Sequence, residues 1–454
     1  MIRLWMAEGF IHPSDGGYRN SLEDIGNNYF LSLFSGSFFQ DVKRDITLGD
    51  IETFKMHDLV HDLALSVVGS HEVATLNTNA IENDVSQARR LRLIMEGIPN
   101  KEFDVLNSAT KLRTIFFQKT GFVFPSPLNN KCLRVIHGLD GGPKAISFNL
   151  KFKHMRYLDL SYSNLEENVH AAEFIHQLYY LQTLNLHKSR NVQKILKEGI
   201  GSLINLRHID ISSSDANLLP YSITMLTNLQ TLNIKGCKGI RELPRNIGYL
   251  DNLPSLDISY TNISALPDSI PLLDHLTKFN FKWCYELKVL PHNFGALTQL
   301  RSLDLIDVKD LVELRNLEYW GRADNLRMPS GIEKLTRLEV LEPFIVMRKE
   351  DDISIADTCS YNSSSSTIHQ LAHLNSLQRL KIVNLENVRG GKIEAERAKL
   401  KDKQHIQHLY LEWKYKKEEE VAGKSVDRHR GINELRFRDT DIIQMSLKAI
   451  EERS

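Results

Sequence analysis

The sequence predicts a fold of the α/β class: a repeat solenoid, curved as a horseshoe, preceded by a small α+β module. A frame of the form L-x-x-L-x-L begins at Leu181 and continues through Leu184 and Leu186. The frame returns with starts at Leu206, Leu229, Leu253, Leu276 and Leu300. These starts lie 23 to 25 residues apart. Leucines at positions one, four and six of a repeat of this length indicate a leucine-rich repeat.

The array extends beyond these starts in both directions. Earlier frames begin at residues 112, 133 and 155, and later frames, more widely spaced, begin at residues 338, 377 and 406. Long excursions from a repeat map to loops. We therefore expect leucine-rich repeats over residues 112–415, with insertions at about 315–337 and 343–376. A linker with an irregular first repeat is expected at 76–111, and a charged tail at 416–454.

Residues 1–75 follow a different pattern. Ser21-Leu-Glu-Asp24 is a helix-start signal, in which the serine hydroxyl caps free backbone amides. Two strand-like runs follow at 38–42 and 51–56, and residues 57–68 then carry apolar side chains at helical spacing before Gly69. Helices followed by a two-stranded wing predict a winged-helix module.

Composition excludes several classes of function. The chain has 57 basic and 57 acidic residues, so its overall charge favours neither nucleic acid nor an anionic membrane. Arg3 and Glu8 interrupt the first apolar run, and no later run is long enough to cross a bilayer. The four cysteines form no C-x-x-C pair. We expect a cytoplasmic protein with no membrane span and no nucleic-acid partner.

Position within the repeat predicts the role of most side chains. Position nine is small or polar and includes Cys237 and Cys284, which we expect to be structural because such residues reach backbone groups in the turn after the strand. Position five carries a column of short polar side chains from Asp159 to Asp304. That column is expected to be a solvated face.

The candidate binding residues lie at the outward-facing positions of the strands. Tyrosine, tryptophan and arginine are the residues that binding hot spots favour. On this ground we predict that Tyr260, Trp283 and Arg301 contact a protein ligand or another part of the same molecule. The same surface includes His187, Lys188 and, in a later repeat, Trp413.

Four short motifs in the first 64 residues make a family resemblance recognisable. They are Ile2-Arg-Leu-Trp-Met-Ala-Glu-Gly-Phe10, Glu23-Asp-Ile-Gly26, Ser37-Phe-Phe-Gln-Asp41 and Met56-His-Asp-Leu-Val-His-Asp-Leu-Ala64. In this order they resemble the winged-helix end of the nucleotide-binding (NB-ARC) domain of plant disease-resistance proteins, of the coiled-coil, leucine-rich-repeat (NLR) class. The spacing of the repeats and the segment 392–413 resemble the same class.

The resemblance implies a plant immune receptor that acts in defence. Its repeats would recognise a pathogen effector, or a host protein that the receptor guards, and would hold the receptor inactive. Another implied partner is an NB-ARC domain, in the same molecule or in trans. In the family, Met56-His57-Asp58 is the motif whose histidine touches bound ADP, so His57 and Asp58 are the candidate cofactor-binding residues.

The residues around His57 also allow other interpretations. A histidine at a strand-to-helix junction favours an anion, but on the residues alone His57 and Asp58 are expected to cap the helix. His57 and His61 are spaced as zinc ligands, yet the glutamate of H-E-x-x-H is missing. Gly423-Lys-Ser425 resembles the end of a phosphate loop, but Glu418 replaces its first glycine. We therefore predict no metal site and no catalytic residue.

The family's P-loop and its metal-binding aspartate lie upstream of the winged helix. The resemblance therefore implies an N-terminally truncated, non-enzymatic chain with no cofactor of its own, whereas the full-length family uses ADP and ATP. An alternative is a standalone leucine-rich-repeat adaptor with no nucleotide link. A DNA-reading winged helix is disfavoured, because Asp58 and Asp62 stand where a recognition helix needs cations.

Overall fold

The computed structural model divides the chain into two compact units, Met1–Pro244 and Arg245–Ser454. The structure describes residues 1–12, 21–44, 51–68, 72–77, 85–94, 108–118, 123–124, 130–138, 145–146, 152–165, 171–287, 290–291, 293–304, 328, 331–346, 367–388, 391–414 and 430–436.

The first unit begins with the predicted helices and wing. The elements are α1 (Ile2–Glu8), α2 (Leu22–Ser35), β1 (Phe39–Arg44), β2 (Ile51–Met56) and α3 (Asp58–Val67). Ser21 Oγ accepts from the Asp24 amide at 3.1 Å, and Asp24 Oδ2 accepts from the Ser21 amide at 3.0 Å, which confirms the predicted start of α2. The β1 and β2 strands are antiparallel, and Phe30 packs on the wing, 5.1 Å from Phe54 between ring centroids.

Helix α3 differs from its expected packing. An apolar helical face normally lies against a core, yet Leu59, Leu63 and Val67 are 74%, 60% and 74% exposed. No residue of α3 is buried. The helix ends at Val67, and Gly69, the predicted stop, lies outside the described residues.

The repeat sheet of the first unit begins earlier than expected. Its strands are β3 (Val73–Asn77), β4 (Arg90–Ile94), β5 (Thr114–Gln118), β7 (Val135–Gly138), β9 (Tyr157–Asp159), β10 (Thr183–Asn185), β11 (His208–Asp210) and β12 (Thr231–Asn233). They pair in this order, all parallel. Because β3 belongs to the sheet, the predicted module boundary at residue 75 falls inside a strand. A separate small pair joins β6 (Val123–Phe124) to β8 (Ala145–Ile146).

The second unit continues the same kind of parallel sheet. Its strands are β13 (Ser255–Asp257), β14 (Lys278–Asn280), β15 (Ser302–Asp304), β16 (Val340–Ile345), β17 (Arg379–Val383), β18 (His408–Lys414) and β19 (Arg430–Arg436). Strand β19 runs antiparallel to β18 and lies within the segment predicted as a charged tail. Both predicted insertions contain regular secondary structure where they are described. The 3-10 helix Ile332–Lys334 lies in the first insertion, and β16 extends into the second as far as Ile345. The middle of each insertion lies outside the described residues.

Short helices alternate with the strands. They are α4 (Ala171–His176), α5 (Gln193–Lys197), α6 (Gly391–Arg397) and the 3-10 helices at Ile200–Ser202, Tyr221–Met225, Ile247–Tyr249, Ile270–Leu272, Phe294–Ala296, Ile332–Lys334, Ile368–His373, Leu385–Asn387 and Leu400–Asp402. Pro220 immediately precedes the 3-10 helix Tyr221–Met225.

The core consists of the inward positions of the repeats. Leu181, Leu184 and Leu186 are fully buried, and the corresponding residues of neighbouring repeats are buried beside them. Each such side chain contributes roughly 1.5–3 kcal/mol on leaving water. Positions one, four and six of these repeats therefore face inward.

The position-five column is structural, contrary to the expectation of a solvated face. From Asp159 to Asn280, the side-chain Oδ1 atoms accept hydrogen bonds from the backbone amide two residues further on. These amides belong to Ser161, His187, Ser212, Lys235, Ser259 and Lys282, at 2.9 to 3.2 Å. An Asp or Asn that bonds its own backbone in this way forms the turn after each strand.

The alternation of Asp and Asn in this column also has a structural reason. Asn233 Nδ2 donates to Asp210 Oδ2 at 2.9 Å, and Asn280 Nδ2 donates to Asp257 Oδ2 at 3.1 Å. Two neighbouring carboxylates would have no donor between them and would repel each other. In these two pairs the amide beside the acid joins adjacent strands.

We expect Asn233→Asp to destabilise the chain by about 1–2 kcal/mol at neutral pH, because it replaces the donor to Asp210 with a second charge. Urea denaturation measures the change. The exchange Asp210→Asn with Asn233→Asp restores one donor and one acceptor, so it is expected to recover most of the loss. If the double variant is as unstable as the single one, the side-chain pair does not stabilise the strands.

Candidate functional site

A left-handed backbone corner follows strands β9 to β14 at position eight of their repeats. The residues there have positive φ: Tyr162 60°, Lys188 52°, Ser213 55°, Gly236 73°, Tyr260 60° and Trp283 59°. This conformation costs a residue other than glycine roughly 1 kcal/mol. Three of the predicted binding residues, Lys188, Tyr260 and Trp283, occupy this corner. Gly236 shows that the same turn accommodates a residue without a side chain.

An aromatic corner, formed by Tyr260, Trp283 and Tyr285, lies in the second unit. The Tyr260 and Trp283 rings stack with centroids 5.7 Å apart and planes 20° apart. Tyr285 meets Trp283 at 5.7 Å with its ring turned by 71°. Tyr260 is 42% exposed and Tyr285 54%. The structure therefore brings two predicted residues together and adds Tyr285, which lies outside the periodic positions and which the sequence pattern did not indicate.

A second group, formed by Tyr162, His187 and Lys188, lies in the first unit. Lys188 Nζ is 5.2 Å from the centroid of the Tyr162 ring, a cation-π distance, and His187 meets that ring edge-on at 5.4 Å. His187 Nδ1 lies 2.7 Å from Ser212 Oγ. Tyr162 was not among the predicted residues, although it occupies position eight of its own repeat, so the period could have identified it.

The other two predicted contact residues have different surroundings. Arg301 Nε and Nη2 donate to the two carboxylate oxygens of Glu339 at 2.6 and 2.8 Å. This two-point pair already uses the face of the guanidinium that would meet an anionic partner. Trp413 lies in β18, and its side chain lies outside the described part of the structure.

The two repeat cysteines have structural surroundings, as predicted. Cys237 Sγ donates to the Ile211 carbonyl at 3.0 Å, and Cys284 Sγ donates to the Ile258 carbonyl at 3.1 Å. Burial raises the pKa of both thiols. A buried thiol with a raised pKa is a poor nucleophile.

The outward strand surface of the first unit is in contact with α1. Ala7 packs with Val135 and Tyr157 in one apolar cluster. Glu8 accepts from the hydroxyl of Thr114, and its carboxylate lies 3.4 Å from Arg90 Nε. Arg134 Nη1 donates to the Glu8 carbonyl at 2.7 Å. The first helix of the winged-helix module is therefore held by strands β4, β5, β7 and β9.

The start of α2 makes a second contact with the same surface. Arg207 Nε donates to Glu23 Oε1 at 2.6 Å, and Arg207 Nη2 donates to the other carboxylate oxygen. His208 Nε2 lies 3.2 Å from Glu23 Oε1, an ion-pair distance without hydrogen-bond alignment. Two-point arginine–carboxylate pairs are among the strongest polar contacts in proteins. Glu23 therefore joins the module to the repeat that begins at Leu206.

Burial and charge change the titration of this contact. Burial acts to raise the pKa of Glu23. The hydrogen bonds from Arg207, together with the proximity of His208, outweigh burial and lower that pKa to about 2. Burial lowers the pKa of His208 to about 4, with Glu23 opposing the shift. The carboxylate contributes stability above its unfolded pKa of about 4.5, and that contribution is lost as the pH falls towards 2.

The predicted cofactor-binding residues lie at the N-terminus of α3. His57 is the residue before the helix, and its Nδ1 accepts from the Leu59 amide at 3.3 Å. Asp58 is in the first turn. A cap and a carboxylate therefore already occupy the positive end of the helix, so His57 and Asp58 alone do not fit a phosphate. The capping interpretation agrees with this geometry.

In the part of the chain that the structure describes, no group of three or more histidine, cysteine, aspartate or glutamate side chains could hold a metal ion. None of its helices combines the length and apolar character that a bilayer crossing requires.

Comparison with protein families identifies three regions. Residues 1–64 match the winged-helix domain of disease resistance proteins, residues 237–319 match a leucine-rich repeat region, and residues 368–438 match the leucine-rich repeats described as R13L1/DRL21.

The curated relatives point in the same direction. A disease resistance protein of Arabidopsis thaliana is 30% identical over 242 residues, covering 53% of this chain and 14% of its own length. Disease resistance protein RGA2 of Solanum bulbocastanum is 43% identical over 72 residues, covering 16% of this chain and 7% of its own. The chain therefore spans only a small part of these relatives.

Solved structures support the fold alone. A leucine-rich-repeat protein of Leptospira interrogans has a TM-score of 0.50 and 17% identity, covering 74% of this chain and 80% of that protein.

We expect His208 to make the chain less stable as the pH falls from about 6.5 to 4, since the unfolded chain binds a proton there more readily than the folded chain. The loss is on the order of 2 kcal/mol. Urea denaturation at several pH values measures it. His208→Gln, which cannot take up the proton, is expected to flatten the curve, and the exposed His275→Gln serves as control. A wild-type curve for His208→Gln would contradict this assignment.

Proposed function

We propose that this chain, which belongs to the NLR-type plant disease-resistance proteins with leucine-rich repeats, recognises a protein and restrains the receptor's switch, without enzymatic activity. The observation that carries the proposal is that the outward strand surface has different contacts in the two units. In the first unit that surface holds the winged-helix module, whereas in the second unit it presents the exposed aromatic corner.

Restraint is supported by the contacts of α1 and α2. Glu8 and Glu23 are held by Arg90, Arg134 and Arg207, which lie on separate strands or at their starts. A module held through several repeats at once cannot rotate without breaking all of these contacts. In this proposal the repeats hold the winged helix in its inactive position, and release of these contacts accompanies activation.

The exposed face of α3 supports a contact with the rest of the nucleotide-binding domain. Leu59, Leu63 and Val67 form an apolar surface of the kind that marks a protein interface. An NB-ARC domain, in the same molecule or in trans, is the partner that the family assigns to this position. The ADP contact of His57 and Asp58 belongs to that assembled domain, because these residues alone do not fit a phosphate.

Recognition is assigned to the aromatic corner and to the group around Tyr162. Aromatic side chains supply much of the binding energy of interfaces, and here they are held at strained positions. The partner is a pathogen effector or a guarded host protein, and the free, buried Cys237 and Cys284 suit the reducing cytoplasm. The winged-helix match over residues 1–64 supports this assignment over a standalone adaptor.

A photo-crosslinker tests recognition directly. We expect p-benzoylphenylalanine in place of Tyr260 to form an adduct with one protein in challenged plant cells. The same group in place of Tyr249, which is 56% exposed in the helix Ile247–Tyr249, is expected to form none. Adduct mass measured by gel and mass spectrometry distinguishes the two sites.

Trp283→Gly provides the matched loss of function. The turn accepts glycine at Gly236, so relief of the left-handed strain offsets the entropy cost of glycine, each about 1 kcal/mol. We expect the melting temperature to stay close to wild type while the Tyr260 adduct disappears. Equal adducts from both crosslinker positions, or an adduct that survives Trp283→Gly, would contradict recognition at the aromatic corner.

A further inference from the structure

Three consecutive repeats of the first unit carry a concentration of positive charge. Each presents a lysine in the turn before its strand and an arginine at the start of the strand. This basic patch consists of Lys111, Arg113, Lys131, Arg134, Lys153 and Arg156. Two of the described segments that carry it, residues 108–118 and 130–138, contain no aspartate or glutamate. In the third, residues 152–165, Asp159 is buried and contacts His137 and the Gly138 amide, not the cations of the patch. In a chain with equal numbers of acidic and basic residues, such a segregation of charge is a local feature.

The arginines of the patch are in register. The Arg134 amide donates to the Arg113 carbonyl at 2.7 Å, and the Arg156 amide donates to the Arg134 carbonyl at 2.8 Å. Adjacent strands lie about 4.8 Å apart, so the backbone positions of the three arginines lie within about 10 Å of one another. The burial of Arg156 and the nearby Arg134 lower the Arg156 pKa, in agreement with this crowding.

The positive charge of the patch is not neutralised by carboxylates within the described residues. Lys111 Nζ donates to the amide oxygen of Gln87 at 2.6 Å, and Arg134 donates to the Glu8 carbonyl. The structure shows no carboxylate partner for any of the six cations among the residues it describes. The three lysines are exposed and the three arginines half-buried.

The group that the patch already contacts indicates what it can bind. Arg134 Nη1 donates to the carbonyl of Glu8, the last residue of α1. The next residue, Gly9, lies close to Arg156, because a Cβ atom built on this glycine would be 3.7 Å from Arg156 Nη1. The C-terminal end of a helix is its negative end. In the same sheet, Arg90 on the adjacent strand β4 and Arg207 at the start of β11 bind the carboxylates of Glu8 and Glu23. This strand surface therefore already binds the negative groups of the winged-helix module, and the basic patch is part of the same surface.

We propose that the basic patch binds an acidic helical segment of a partner protein, beside the docked α1. Glutamates three or four residues apart on one helix face are about 5–6 Å apart, which matches the spacing of adjacent strands. Arginine pairs with such carboxylates at two points, and the exposed lysines add attraction at longer range. This interaction goes beyond the proposed recognition at the aromatic corner and does not depend on it.

The test uses the whole chain and a defined probe. The probe is a fluorescent, alanine-rich helical peptide with a glutamate at every fourth position, and its control has glutamine at those positions. Fluorescence anisotropy at low and physiological salt measures binding. We expect the glutamate peptide to bind, the glutamine peptide not to bind, and salt to weaken binding, because the attraction is between charges.

Lysine variants identify the surface. The triple change Lys111→Gln, Lys131→Gln and Lys153→Gln is expected to weaken binding of the glutamate peptide about tenfold, since it removes three exposed cations. The control changes Lys197→Gln, Lys235→Gln and Lys238→Gln remove the same charge from exposed positions elsewhere in the first unit and are expected to have little effect. Arg113→Gln alone provides a second variant. Circular dichroism confirms that each variant folds.

Three outcomes would overturn the proposal. One is the absence of binding by the glutamate peptide at low salt. The second is an equal loss of binding in the two triple variants, which would make net charge the cause. The third is that single-stranded oligonucleotides or vesicles containing phosphatidylserine bind more tightly than the peptide, with the same dependence on Lys111, Lys131 and Lys153. Failure of the Tyr260 crosslink would leave all three readouts unaffected, so the two proposals can fail separately.

Discussion

The constraint on which this structure depends is that no single repeat can bury its own leucines. Leu181, Leu184 and Leu186 are fully buried only because neighbouring repeats cover them. Stacking therefore requires apolar side chains at the inward positions of the repeats. Backbone pairing between strands sets the distance between adjacent repeats. Variation is possible only at the outward positions, where the charged and aromatic side chains of interest are found.

Those outward positions are used in two ways. Around β4 to β11 they hold α1 and Glu23 of the winged-helix module, through ion pairs and one apolar cluster. In the second unit, Tyr260 and Trp283 stack at left-handed corners and are partly exposed to solvent. In the proposed function the first surface restrains the module and the second recognises a protein, and one repeating scaffold supplies both.

The features that could be predicted from the sequence are those that obey a local rule. The leucine frame, the capping box at Ser21 and the outward positions of Tyr260 and Trp283 in adjacent repeats all follow from spacing along the chain. The ion pair between Glu23 and Arg207 could not be predicted, because 184 residues separate its partners and no periodicity connects them. Asp210 was expected to be solvated, since the pattern shows a polar column but not the amide of Asn233 beside it. The exposure of Leu63 is a further difference, because an apolar residue at helical spacing normally lies against a core.

The central claim is that the pair of Glu23 with Arg207 holds the winged helix on the repeats. Hydrogen exchange of the α2 amides tests it most directly in Glu23→Arg, in Arg207→Glu and in the double variant. Because each single change places like charges together, we expect exchange to rise by roughly tenfold or more, and the double variant, which restores opposite charges, to return towards wild type. If the single variants exchange as wild type does, or if the double variant is simply the sum of the two, the pair does not hold the module.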